Sequence, residues 1–273
     1  MLVVFAVVGY PLYYNVVMSL GRLNLRTRLV EFIGLANFEK LLGTPIFWKI
    51  FTQSIVFLVA TVGIQLVAGF LVALLLDRCK WGRGVTGALL LVPWVSLFVV
   101  VAIVFSFLLH PLYGPLTSLI SALGLESFAI NLMRDPAQAM TVLILVNAWK
   151  FFPFIAVMVL AGLQAVGKDH LEAAIVDGAG YWQQVRHVII PSLRPVLGST
   201  LILSSAWALN SFTLPWVMTG GGPQRGTELL TIYIYKTGFI SLDFGLASAA
   251  SGVLFLLVVL VTLPYVLTMR GRR

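Results

Sequence analysis

The sequence predicts an all-α, polytopic membrane protein with about six transmembrane helices, forming a single domain over residues 1–273. Composition is the first observation behind this. The chain is 60% hydrophobic and 10% charged, with a mean hydropathy of +1.00, whereas soluble domains carry about 25% charged and about 45–50% apolar residues. The second is the pattern of apolar runs, at about 1–20, 50–77, 84–109, 138–163, 196–218 and 246–269. Each approaches or exceeds the roughly 20 residues that a helix needs to cross a hydrocarbon core about 30 Å thick. The third is the absence of alternation. A barrel strand alternates polar and apolar residues over about ten positions, and the stretch Leu66 to Leu76 does not. Only helices or closed barrels satisfy backbone groups in lipid.

The first run is apolar from Leu2, without the basic stretch or small-residue cleavage site of a signal peptide, and reads as a span. Because it starts at Met1, the expectation is that an N-terminal tail is missing or the start is assigned late. The second and third runs are joined by a tight turn from Arg78 to Arg83. That turn leads into Gly82-Arg83-Gly84-Val85-Thr86-Gly87, which matches a dinucleotide-binding glycine pattern. No strand precedes it and a span follows, so the βαβ context is missing. The fourth run contains Asn147, Trp149 and Lys150, and the fifth contains Ser205, Trp207, Asn210 and Ser211. Polar groups inside spans line cavities, pair with one another or serve a pathway. Connections at about 21–49, 110–137 and 219–245 are long, carry Gly, Pro and charge, and are suited to meeting a soluble partner.

Net charge is +8. Its Lys and Arg residues are scattered between apolar runs rather than gathered on a solvated face, so the expected partner is the lipid bilayer and not nucleic acid. Cys79 is the only cysteine, and His110, His170 and His187 are far apart, which predicts no disulfide and no metal site. With both ends inside, nine Lys and Arg fall inside and eight outside, so the positive-inside rule barely decides the orientation. The Arg78–Arg83 turn and the Arg270–Arg273 tail favour it, and the Arg22–Arg28 cluster opposes it.

The polar interlude at 164–195 is the most informative segment. It reads Glu172-Ala173-Ala174-Ile175-Val176-Asp177-Gly178-Ala179, followed by Trp182 and Pro191. Asp169 followed by Glu172 has capping-box spacing and predicts a helix start. Leu171, Ala174, Ile175 and Ala179 recur at helical spacing, and Gly178 and Gly180 predict its end. A second short helix is expected from about Tyr181 to Val188, stopping before Pro191. Spacing alone fits an interfacial amphipathic segment equally well.

The run resembles the EAA loop of ABC importer permeases through Glu172, Ala173, Ala174, Asp177, Gly178, Ala179 and Pro191, and Trp182 lies in the same segment. It departs at Val185, where Phe is usual, and at Ile190, where Leu precedes the proline. The expectation is that a smaller Val185 alters how deeply the loop seats in its partner. A second segment, Gly220-Gly221-Gly222-Pro223 after Thr219, resembles the carbohydrate-uptake permeases of the maltose and glycerol-phosphate group. The resemblance covers nearly the whole chain. It implies a cytoplasmic coupling-helix loop, a cytoplasmic C-terminus and a location in a bacterial or archaeal inner membrane. It also implies a second homologous permease subunit, two cytoplasmic ATPase subunits and an extracytoplasmic substrate-binding protein. Glu172 would meet a basic residue of the ATPase.

The chain has no Walker A sequence, so it is expected to be a transport subunit rather than an enzyme, without catalytic residues or cofactor. ATP and Mg would sit on the partner ATPase. The solute is read as a sugar, whose hydroxyls suit Asn147, Ser205, Asn210 and Ser211 and whose C–H face suits Trp149 and Trp207. Helix-to-helix packing explains the Ser and Asn residues as well. Lys150 has three open readings: a counter-charge to a phosphate, a pair with an acid of another subunit, or a snorkelling amine. A glycerol-phosphate or other polar-solute importer is the alternative. A secondary transporter is the alternative of a different class, although no acidic residue is clearly mid-span.

Overall fold

A computed structural model describes residues 7, 9–24, 26–27, 29–79, 83–125 and 132–270, with the side chains of 83, 168–171 and 264–270 left aside. Among these residues it is helical apart from one small hairpin. Helix α1 (Tyr10–Ser19) leads into β1 (Gly21–Leu23) and β2 (Val30–Phe32), which pair antiparallel with Arg22 opposite Glu31. Helix α2 (Ala36–Leu42) is fastened beneath the hairpin by Asn37, whose Nδ2 donates to Ser19 O and Gly21 O, each at 2.9 Å.

The central pair is α3 (Pro45–Arg78) and α7 (Pro136–Gln164), which make the most extensive helix contact among the described residues. Gly69 lets them approach, because a Cβ there would lie 2.8 Å from Ile155 Cβ. Asp135 caps α7, its carboxylate accepting from Ala137 N and Gln138 N at 3.0 and 2.9 Å. Between these helices in sequence come α4 (Arg83–Val95), α5 (Phe98–Leu108) and the short α6 (Pro115–Ala122). After them come α8 (Lys168–Val176), α9 (Tyr181–Leu209), α10 (Thr213–Thr219), α11 (Leu230–Tyr235) and α12 (Phe244–Arg270). Helix α12 packs on α1, α2, α9 and α11, closing the bundle.

Four described helices, α3, α7, α9 and the described part of α12, are long and apolar enough to cross a membrane, and α4 with α5 forms a bent fifth. Of the first expected span, residues 1–6 and 8 lie outside the described residues, and Tyr10–Ser19 forms α1. The structure departs from the expected runs at two places. The run at 84–109 is not one rod: α4 and α5 meet at 89° across Ser96 and Leu97. Pro93 removes an N–H and crowds the carbonyl four residues before it, which weakens the last turns of α4. The run at 196–218 is broken too, between Leu209 and Thr213. Pro215 cannot donate to Ser211 O, and Thr231 Oγ1 donates to that carbonyl instead at 2.7 Å.

The stop expected before Pro191 is also absent. Helix α9 runs through Pro191 and Pro195 into the bundle, after a π turn at Val185–Ile189. The widened turn makes room for the Pro191 ring, and Ser192 Oγ donates to the Val188 carbonyl at 2.7 Å.

Candidate functional site: a cavity between two broken helices and an exposed loop

The two helix breaks face each other. Helix α5 packs on α10 beyond them, and between the breaks lies a cavity of about 410 Å³ lined by Trp94 and Phe98 from one break and Asn210, Ser211, Phe212 and Thr213 from the other. Phe151 and Trp207 complete the wall. The rings form a continuous array. Trp207 stacks on Phe151 at 5.3 Å and meets Phe154 edge-on at 4.9 Å, while Trp94 stacks on Phe154 at 5.6 Å and Phe98 tilts against Phe151 at 5.8 Å. Such a surface receives apolar faces, and the amide and hydroxyl at its edge supply hydrogen bonds.

Of the residues expected on a solute path, Trp207, Asn210 and Ser211 line this cavity. Asn210 is exposed, its Nδ2 donating to Ala206 O at 2.9 Å as it finishes α9. Asn147 is buried behind the wall, donating to Ser211 Oγ at 3.4 Å and accepting from Gln65 Nε2 at 3.3 Å. It therefore links α3 and α7 to the α9 break. Ser205 is buried within α9 and does not line the cavity. Trp149 is 41% exposed and packs edge-on against Phe105, away from the cavity. The 100° per residue of a helix separates it from Phe151, which does face inward.

Lys150 turns inward to the main chain of a neighbouring segment. It is buried, and Nζ donates to the main-chain carbonyls of Pro93 and Trp94 at 3.2 Å each and of Ser96 at 2.5 Å. Its ammonium also sits 4.5 Å above the Phe98 ring. An ammonium has three N–H donors, and the bend between α4 and α5 occupies them all.

The Gly220–Pro223 segment forms a tight turn after α10, with Gly220 and Gly221 at φ +58° and +87°. Thr227 organises it: its Oγ1 lies 2.7 Å from Thr219 Oγ1 and donates to Gly222 O at 2.6 Å. Beneath the turn the carboxylate of Glu228 is fully buried, with Arg225 at 3.2 Å and Lys236 at 3.5 Å. Gln53 and Lys49 of α3 donate to Gly226 O and Gln224 O at 3.0 and 3.3 Å. The conformation of this segment is thus determined by its own buried threonine and carboxylate.

At the far end of α3, helix α8 and the start of α9 make a hairpin. Gly167 caps α8, so Asp169 falls inside the first turn rather than at the cap; its side chain lies outside the described residues. Gly178, at φ +78°, reverses the chain, with Ala179 N donating to Ala174 O at 2.9 Å and Gly178 N to Ile175 O at 3.0 Å. This pairing closes a helix on a left-handed residue. Gln183 Oε1 then accepts from Gly180 N at 2.8 Å and starts α9.

Glu172, Ala173, Asp177 and Gly178 are exposed, Ala174 and Ala179 partly so, and Pro191 is half-buried where α9 enters the bundle. Ile175, Val176 and Trp182 present apolar side chains outward at 59, 86 and 67% exposure. Glu172 makes no ion pair among the described residues. The opposite side is anchored: Val185, Ile189 and Leu193 pack into a core with Ala73 and Leu74 of α3 and Ile155, Val159 and Leu163 of α7. The Arg78 guanidinium lies 3.5 Å above the Tyr181 ring. Val185 belongs to this buried core and not to the outward surface of the loop.

Sequence reasoning missed Gln65, Glu228 and the broken third run. Pro93 shortly before Ser96 was the available signal for the break, whereas nothing along the chain pairs Glu228 with the cations that cover it.

A model of the binding-protein-dependent transport system inner membrane component family matches residues 67–271. The trehalose/maltose transport system permease protein MalF of Thermococcus litoralis is 34% identical over 245 residues, 89% of this chain and 81% of that one. The sulfoquinovosyl glycerol transport system permease protein SmoG of Agrobacterium fabrum is 33% identical over 270 residues, 97% and 86% of the two chains. A chain of a bacterial alginate ABC transporter, solved with an alginate pentasaccharide-bound periplasmic protein, shares the fold. The match has a TM-score of 0.82 at 19% identity, covering 97% of this chain and 89% of that one. The chain belongs to the binding-protein-dependent transport system inner membrane components, as a permease subunit of an ABC importer.

Proposed function

We propose that this chain forms half of the solute path of a sugar importer and transmits movement from a cytoplasmic ATPase through α8. The carrying observation is the pairing of two surfaces on one packed helical frame. An aromatic and amide-lined cavity lies between two helix breaks, and an exposed apolar hairpin is anchored to α3 and α7 through Val185, Ile189 and Leu193. Trehalose and maltose name the solutes of one relative and sulfoquinovosyl glycerol that of another, which supports a carbohydrate here.

In this reading a second, homologous permease completes the cavity, and two ATPase subunits hold ATP and Mg. Their closure moves Ile175, Val176 and Trp182 and, through the anchored end of α9, the two breaks. The loop and C-terminus face the cytoplasm, and a substrate-binding protein docks on the opposite side, where the 219–245 segment lies. The chain itself contributes mechanical coupling and no catalytic group.

A phosphate-bearing solute is less well served. All three Lys150 donors are engaged by carbonyls, and no cation lines the cavity among the described residues. Trehalose or maltose uptake by the reconstituted complex tests the path: Trp207→Ala and Asn210→Ala are expected to raise KM without loss of assembly. Unchanged KM in both would remove this cavity from the path.

A further inference from the structure

Breaking a helix inside a membrane leaves carbonyls that water cannot reach. At the end of α4, Val92 O is taken by Ser96, whose N and Oγ donate at 3.2 and 2.7 Å. The carbonyls of Pro93, Trp94 and Ser96 have no helical donor beyond the bend, and all three converge on Lys150 Nζ. A cation placed on the last carbonyls of a helix is favoured by hydrogen bonding and by the helix dipole. The residues on either side of the bend, Trp94 and Phe98, are both cavity walls, and the ammonium lies over the Phe98 ring.

We propose that Lys150 is a positioning residue: it clamps the α4–α5 bend and so sets the spacing of Trp94 and Phe98 across the cavity, without touching solute. Its three donors are spent on the main chain, so its effect on the solute runs through the position of the walls and not through its charge. The clamp itself is independent of the solute-path reading; its effect on solute affinity rests on that reading.

Two measurements on the assembled complex separate these parts. Spin labels at Val85→Cys and Phe107→Cys, both exposed positions on the two arms, report the bend in a Cys79→Ser background. Lys150→Met is expected to broaden the distance distribution and shift its maximum. Lys150→Arg, which keeps charge and donors, is expected to recover a single narrow distance, and Lys150→Gln, with two donors, an intermediate one. If the Met variant does not accumulate, the Gln and Arg variants carry the comparison. In uptake of radiolabelled maltose and of glycerol 3-phosphate, Lys150→Met is expected to raise KM about tenfold for whichever solute is carried, with Vmax changed far less; this is the size of about one lost hydrogen bond.

An unchanged narrow distance in both Lys150→Met and Lys150→Gln would overturn the clamp. A broadened distance with unchanged KM would overturn its role in setting the cavity walls. A KM rise confined to glycerol 3-phosphate, with the bend intact, would mean that the ammonium acts on solute charge instead. Failure of the path reading looks different: Trp207→Ala would leave KM unaltered while Lys150→Met still broadened the distance.

Discussion

The reversal at Gly178 is the most exposed test of the hairpin as a mechanical element. Gly178 sits at φ +78° with no atom within 4 Å of where a Cβ would be, so a substitution there acts on backbone conformation without a clash. An L-residue held in the left-handed region costs about 1–2 kcal/mol, and Asn tolerates it better than Ala. A difference of that size corresponds to about a 5- to 30-fold change in an equilibrium constant. If the partner ATPase docks on the bent hairpin alone, that factor is the upper bound on lost docking affinity.

The assay is titration of the purified ATPase onto the permease pair in nanodiscs, read as loaded-binding-protein-stimulated ATP hydrolysis. Gly178→Ala is expected to shift the half-saturating ATPase concentration upward by as much as that factor, and Gly178→Val at least as far, with Gly178→Asn closest to the parent. The maximal rate at saturation should be retained in the Ala variant. Equal titrations for Gly and Ala, or an Asn variant as weak as Val, would show that the left-handed turn does not present the docking surface.

Other expectations follow from the same geometry. Glu172→Lys is expected to leave the chain inserted and assembled but to abolish substrate-stimulated ATP hydrolysis, measured in lipid against basal turnover. Gly69→Leu places a side chain where a Cβ alone would come within 2.8 Å of Ile155, and should destabilise the α3–α7 crossing by about 1–3 kcal/mol, read as a lower unfolding midpoint in detergent. Beneath the Gly220–Pro223 turn, Glu228 is fully buried while Arg225 and Lys236 are partly exposed. Removing both cations together should therefore cost more, about 3–5 kcal/mol, than Glu228→Gln, because only the former strands a charge out of water. Thermal unfolding of the three proteins gives the order.

Hydropathy located the membrane-capable helices because lipid imposes one strong requirement on a spanning segment. It could not locate the break at Ser96 and Leu97, because the residues around them are as apolar as the helices they separate. The Glu172–Ala179 pattern carried its own turn chemistry, and Gly178 adopts the left-handed conformation that its residue type suggests. Tyr181 to Leu209 was harder to read, since a π turn rescues a proline that simple helix rules treat as a stop. Lys150, Asn147 and Trp149 occupy neighbouring positions with three separate tasks: clamping a bend, linking helices and facing outward. Which task falls to which residue depends on helix phase and on segments 54 to 82 residues away, beyond the reach of local pattern. Glu228 was invisible for the same reason, as its burial depends on a turn built by Thr219 and Thr227.

Stimulated ATP hydrolysis by the co-expressed complex in lipid brings the cavity, the hairpin and the partners into a single readout. Candidate binding proteins, each loaded with a sugar or with a glycerol phosphate, would be added in turn. Stimulation by a sugar-loaded protein, lost in Glu172→Lys, is the expected outcome. Failure of any ATPase to co-purify, with uptake persisting in vesicles that contain this chain alone, would contradict it.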